Sequence, residues 1–250
     1  MSVPGVPIAI VLATIAQSGW SASAGTERFS YRDISRGGPP ADASPVTWEG
    51  NGPSLEIAYE RAARRLHRFS VSFSSAGAFS YVTPVRTIGA ASGDTARRVE
   101  GRYEYRRYPF RNVLVRGLDA GIGIEGSGRR LSLTRAVAAG PQHNATVSAA
   151  LACVAVARLH RWDRWAAEVT WTNAVSVLHQ RDAQDADAAS DARLWGGGWR
   201  TDLAASVSVR VSKRASLTGS ILRAGEGTAV SHHSFAFARS RITAGMTYAK

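Results

Sequence analysis

The chain has 250 residues, 44% of them hydrophobic and 20% charged, with a formal net charge of +12 at pH 7; this apolar content is ordinary for a folded chain and excludes global disorder. Cys153 is the single cysteine and no Cys/His cluster has zinc-ligand spacing, so a disulfide scaffold is excluded and neither metal nor cofactor is expected. All the cations except Lys213 and Lys250 are arginine, an excess that calls for an anionic partner or an anionic surface.

Residues 1–24 carry no charged side chain, and the apolar run Val6–Ile15 is followed by Ala22-Ser23-Ala24. The run is half the length of a spanning helix, and its small-x-small ending reads as an export signal cut after Ala24. The expected organisation is therefore a leader over 1–24 and one domain over 25–250. Export removes the chain from nucleic acid. A secreted chain without a disulfide pair suits a Gram-negative envelope.

From there on, hydrophobicity alternates with a period of two, the strand signature. Leu55, Ile57 and Tyr59 alternate with Glu56, Ala58 and Glu60; Val99, Gly101, Tyr103 and Tyr105 with Glu100, Arg102, Glu104 and Arg106; Leu203, Ala205, Val207 and Val209 with Asp202, Ser206, Ser208 and Arg210. Strands are expected at 26–34, 53–61, 67–82, 97–107, 113–126, 144–159, 164–180, 198–211, 215–223 and 233–248. Several exceed the common soluble length and suit a tilted membrane crossing of about 9–11 residues. The intervening segments alternate long and short, the rule for barrels with short turns on one side and longer loops on the other. In the last strand Phe235 and Phe237 have the opposite parity to Ile242, Ala244 and Met246, which predicts a bulge near Arg239–Arg241 or an additional hairpin.

These features resemble the small outer-membrane β-barrel proteins of Gram-negative bacteria across the mature chain. The resemblance implies an all-β fold, an antiparallel transmembrane β-barrel of about ten strands, with eight or twelve as alternatives. It also implies location in the cell outer membrane, insertion by the barrel assembly machinery, and contact with outer-membrane lipids including lipopolysaccharide. Members usually end on an aromatic residue; here Tyr248 takes that place two residues from the end.

Within such a barrel the polar parity faces the lumen. The expected lumenal charges are Glu56, Glu60, Arg68, Glu100, Arg102, Glu104, Arg106, Asp119, Glu125, Glu168, Arg200, Asp202 and Arg210, leaning acidic and forming ion-paired ladders that plug a narrow interior. Interfacial aromatics are expected at Tyr108, Phe110, Trp162, Trp165 and Tyr248 on the turn side and Tyr81, Trp195 and Trp199 on the loop side. Arginines group around the turns, among them Arg61, Arg64, Arg65, Arg106, Arg107 and Arg111. A loop-side set, Arg86, Arg97, Arg98, Arg129, Arg130 and Arg135, is expected where lipopolysaccharide phosphates lie.

The one sequence feature with the shape of chemistry is His232-His233-Ser234. Imidazole beside a hydroxyl is how an acyl-transfer nucleophile is made, and outer-membrane lipid A deacylases carry a similar His-x-Ser. Here Phe235 follows where theirs has Asn, and the nearest acid is Glu226. The leading reading is a non-catalytic structural, adhesive or narrow-pore barrel. The alternatives are a lipid or lipopolysaccharide hydrolase using His232 and Ser234, and a soluble exported barrel or sandwich.

Overall fold

The computed structural model describes residues 17–35, 46–62, 65–76, 79–82, 87–88, 95–114, 116–134, 142–161, 164–184, 192–230 and 233–249. The strands in chain order are β1 (Gln17–Ser35), β2 (Val46–Ala62), β3 (Arg65–Ala76), β4 (Phe79–Val82), β5 (Thr87–Ile88), β6 (Thr95–Phe110), β7 (Leu118–Thr134), β8 (Gln142–Arg161), β9 (Trp165–Gln184), β10 (Ala192–Arg210), β11 (Ala215–Val230) and β12 (His233–Ala249). Ten of them form the wall, in the order β1-β12-β11-β10-β9-β8-β7-β6-β3-β2, and a β1–β2 ladder closes the ring. Every described pairing is antiparallel. The expected ten-stranded barrel is the observed one.

The strand expected over 67–82 is split. β3 pairs with the lower part of β2, and β4 continues its position against Thr47–Gly50 higher up, turning back through the two-residue β5. The turn side is tightly knit. Asn112 and Leu114 have φ of 52° and 66°, and Asn112 Oδ1 accepts the amide of Gly117, itself at φ 93°. In the turn after β10, the Ser212 hydroxyl oxygen accepts the Ala215 amide.

The strands run further toward the loop side than expected: β2 begins at Val46, β7 runs to Thr134 and β11 to Val230, leaving 231–232 between β11 and β12. The cause is an inversion of polarity along each strand. In the belt, large apolar side chains face outward: Leu55, Ile57, Phe69, Val71, Ile122, Leu151, Leu203, Val207, Ile221, Ile242 and Met246 are all exposed. Toward the loop side the outward positions become Arg28, Arg32, Ala236, Ala238 and Ser240, while Phe29, Tyr31, Phe235 and Phe237 turn inward and are buried.

The bulge predicted near Arg239–Arg241 is absent: β12 pairs in unbroken register with both β1 and β11 from His233 to Tyr248. Its parity never switches. Phe235, Phe237, Arg239, Arg241 and Thr243 form one buried inward row, because the barrel interior is apolar near the loops and charged below.

β1 begins at Gln17, eight residues before the predicted leader boundary, and Trp20 pairs with Tyr248 on one side and Tyr59 on the other. Residues 17–24 thus fill the turn-side half of the seam. A chain starting at Gly25 is expected to refold poorly, showing little of the fast-migrating unboiled band on gels, whereas a chain starting at Gln17 regains it; equal folding of the two would contradict the role given to this half-strand.

Candidate functional site

The lumen is the candidate site, and β6 is its spine. Residues two apart on one face of a strand are about 7 Å apart, and the inward row of β6 reads Arg98, Glu100, Arg102, Glu104, Arg106, an alternation of sign along the barrel axis. Because β6 lies across the ring from β10 to β12 and from β1, its side chains reach the opposite wall.

Nearest the loops, Arg98 is fully buried and grips Glu27 of β1 with two hydrogen bonds, Nε to Oε1 and Nη2 to Oε2, each 2.7 Å. Its Nη1 donates to Glu100 at 2.6 Å and to Ser72 at 3.1 Å. Ser74 donates to Glu27 at 2.9 Å, and Arg239 of β12 to Glu100 at 2.8 Å. Below, Arg102 bridges Glu104 (2.6 Å), Asp202 (3.0 Å) and Glu125 (3.1 Å), while Arg200 joins Glu125 and Asp202 and Arg106 holds Glu104 at 2.9 Å. Beside these, Glu56 is shared between Arg68 at 2.6 Å and Arg241 at 2.5 Å. An isolated charge buried this way costs several kcal/mol, and each of these charged groups has an opposite charge within ion-pair distance.

Above the Arg98 layer, Phe29, Tyr31, Ala76, Ala96, Leu131, Phe235 and Phe237 form an apolar cluster inside the loop-side lumen. Arg129 closes onto it, its guanidinium 4.1 Å from the centre of the Phe237 ring and 2.8 Å from Glu226. A cavity of about 470 Å³ runs among the charged layers, past Glu100, Arg102 and Glu104, to the turn-side end, where Gly19, Leu66 and Ala249 line it. On the β8–β9 side Ala150, Ala152, Val154, Val156 and Ala174 form a second buried apolar cluster, against which Tyr108, itself part of the cavity lining, packs. The lumen is a cup open toward the turns and filled toward the loops.

Of the predicted lumenal charges, Glu56, Arg68, Glu100, Arg102, Glu104, Arg106, Glu125, Arg200 and Asp202 lie together in these layers. Glu60 and Glu168 line the cavity nearer its mouth. Asp119 is drawn to the turn, pairing with Arg158 and accepting the Asn112 amide at 3.0 Å. Arg210 is exposed at the turn-side end of β10 instead of lumenal. Sequence reasoning missed Glu27, Arg98, Arg129, Glu226, Arg239 and Arg241. Arg98 and Arg129 were expected at the lipopolysaccharide level but share the inward parity of Glu100 and Glu125, and that parity was the available signal. Arg97 and Arg130, on the other parity, do face outward; Arg86 and Arg135 lie outside the described residues.

Among the expected girdle residues, Phe110, Trp165, Trp199 and Tyr248 are exposed on the outer wall. Tyr108 instead lines the lumen, continuing the inward parity of Arg98 to Arg106, and the register shift between Arg107 and Phe110 is what turns Phe110 outward. Trp162 and the side chains of Tyr81 and Trp195 lie outside the described residues. Trp20, Tyr59, Tyr103 and Tyr105 complete the turn-side girdle; Trp20 and Tyr59 rings are 5.0 Å apart. His232 lies outside the described residues, and of Ser234 only the backbone is described, pairing with Ile34 and Ala229.

No protein-family model matches the chain, and no curated protein matches it. Solved structures do. The outer-membrane protease OmpT of Escherichia coli superposes with a TM-score of 0.57 at 11% identity, over 94% of this chain and 97% of that one. The translocator domain of the autotransporter NalP of Neisseria meningitidis gives 0.40 at 12% identity over 92% and 88%, and the β domain of the Bordetella autotransporter BrkA 0.36 at 15% over 94% and 100%. The likeness to OmpT carries the architecture: this chain has the fold of the Gram-negative outer-membrane β-barrels.

Proposed function

We propose that the protein is an exported outer-membrane barrel of structural or adhesive type, with a lumen closed to solutes and no catalytic role. The observation that carries this is the double closure of the loop-side lumen, the aromatic cluster around Phe29 and Phe237 lying over the fully buried Arg98–Glu27 pair. A pore needs a continuous water path, and paired guanidinium and carboxylate groups under an apolar lid remove it. The wall then serves to hold the loop-side rim in place. The protease activity named for OmpT belongs to that protein.

In the same reading the chain is inserted by the barrel assembly machinery, and outward arginines above the belt, Arg97 and Arg130 among them, meet lipopolysaccharide phosphates. Export requires a leader, and its cut is placed before β1, where Thr14-Ile15-Ala16 is a small-x-small tripeptide directly ahead of Gln17. N-terminal sequencing of membrane-extracted protein is expected to start at Gln17, and a start at Gly25 would refute that placement.

In planar bilayers the purified protein is expected to give no large, stable single-channel steps. Replacing Phe29, Phe235 and Phe237 by Ala together with Arg98→Ala is expected to open measurable conductance. Steady, large conductance in the unaltered protein would sink the closed-lumen reading.

Arg98→Ala alone strands Glu27 in a buried site and is expected to destabilise the barrel by about 3–5 kcal/mol, read as a lower temperature for loss of the fast-migrating band. Removing both charges, as in Arg98→Met with Glu27→Gln, is expected to cost less than Arg98→Ala, since Glu100 keeps Arg239. Additive losses would contradict the pairing.

A further inference from the structure

The outer wall carries an unusual juxtaposition on the turn side of β2, β3, β6 and β7. Arg65 of β3 stands directly opposite Arg107 of β6, and both are exposed and outward. One row nearer the belt, Arg61 pairs with His67, and His67 with Tyr105. Like charges directly opposed on a sheet are destabilising. Among the described residues no carboxylate forms an ion pair with Arg61, Arg65 or Arg107. The patch is therefore short of an anion.

Toward the belt, the patch passes into aromatic and then bare wall. His67 Nδ1 lies 3.0 Å from the Tyr103 hydroxyl, its ring centre is 5.0 Å from that of Tyr105, and Phe69 and Tyr103 are 4.6 Å apart. The next outward positions are glycines: Gly101 pairs with Gly128, and Gly126 with Tyr103. A Cβ added at Gly101, Gly126 or Gly128 would meet no atom within 4 Å, so packing within the protein does not require them. Glycine inside a strand weakens it and marks a place where another molecule comes close to the backbone. Exposed Val71, Val99, Ile124 and Val147 border this shallow furrow.

We propose that this strip binds one glycerophospholipid of the turn-side leaflet, its phosphodiester between Arg65 and Arg107, its ester region beside His67 and Tyr103, and an acyl chain in the Gly101–Gly126–Gly128 furrow. The dimensions agree. Six residues from Arg107 to Gly101 span about 20 Å along the strand. At a tilt of about 40° this is about 15 Å along the membrane normal, half of a hydrocarbon core of about 30 Å. Charge complementarity selects a headgroup with net negative charge. The patch is on the outer wall, and its occupancy is independent of the closed lumen, though it rests on the membrane location.

The test is native mass spectrometry of the full chain, refolded in dioleoylphosphatidylcholine vesicles and extracted with added dioleoylphosphatidylglycerol. Insertion is read beforehand from the unboiled gel band, so failure of the membrane reading is seen separately. The expected result is one retained phosphatidylglycerol per barrel, at least tenfold weaker retention in Arg65→Gln/Arg107→Gln, and unchanged retention in Lys213→Gln, a turn-side control. Gly101→Val/Gly128→Val, whose Cβ atoms meet no protein atom within 4 Å, is expected to fold normally and weaken retention severalfold. Equal retention in the arginine variant would overturn the proposal. Full competition by millimolar inorganic phosphate, with the furrow variant binding as the parent does, would also overturn it by reducing the patch to a simple anion site.

Discussion

The interior of this barrel is organised by one requirement: a charge taken out of water must meet its opposite with good geometry. β6 sets the terms, since its inward row alternates arginine and glutamate five deep from Arg98 to Arg106. Neighbours on the same strand neutralise each other only in part. The remainder is supplied from far walls, by Glu27 of β1, Arg239 of β12, and Arg200 and Asp202 of β10. These cross-lumen contacts act as struts, tying together strands that share no backbone hydrogen bond and holding the wall at a fixed bore.

A second regularity is a reversal of faces along the wall. In the belt the outside is the apolar face and the inside carries the charge; toward the loops the assignment reverses, with Phe29, Tyr31, Phe235 and Phe237 inside and Arg28, Arg32 and Ser240 outside. A strand of 17 to 20 residues such as β1, β8 or β12 crosses both regimes with one unbroken pleat. The lower half behaves as a membrane barrel and the upper half as the wall of a water-soluble one.

That reversal explains what could be read from the sequence. Strand number and most of the charged lumen followed from period-two patterning wherever one parity stayed apolar, as in Leu55-Ile57-Tyr59, whereas the expected alternation of connection lengths breaks at 111–117 on the turn side and at 231–232 on the loop side. Where the apolar parity changed sides, the same rule misled: Phe235 and Phe237 against Ile242 looked like a bulge, and β11 seemed to stop at Arg223. Arg98 and Arg129 were judged by height instead of parity and so assigned to the outer surface. Glu27 was hidden for a different reason, because its strand was weakly patterned and half absorbed into an apolar leader. Tyr108 continues the inward parity of Arg98 to Arg106 and was grouped with Phe110 by its height; it is Phe110 that the local register shift turns outward.

The seam where β1 meets β12 gives the molecule its longest-range contacts, Trp20 against Tyr248 at one end and Ser35 against His233 at the other. Contacts so distant along the chain carry the largest loop-closure cost, which is met only when the ring closes. Until it does, Arg98 lacks Glu27 and Glu100 lacks Arg239, and an open sheet has to keep those groups wet. Dehydration of the interior and closure of the ring are thereby one cooperative event. The charged lumen is thus a brace that exists only in the closed ring.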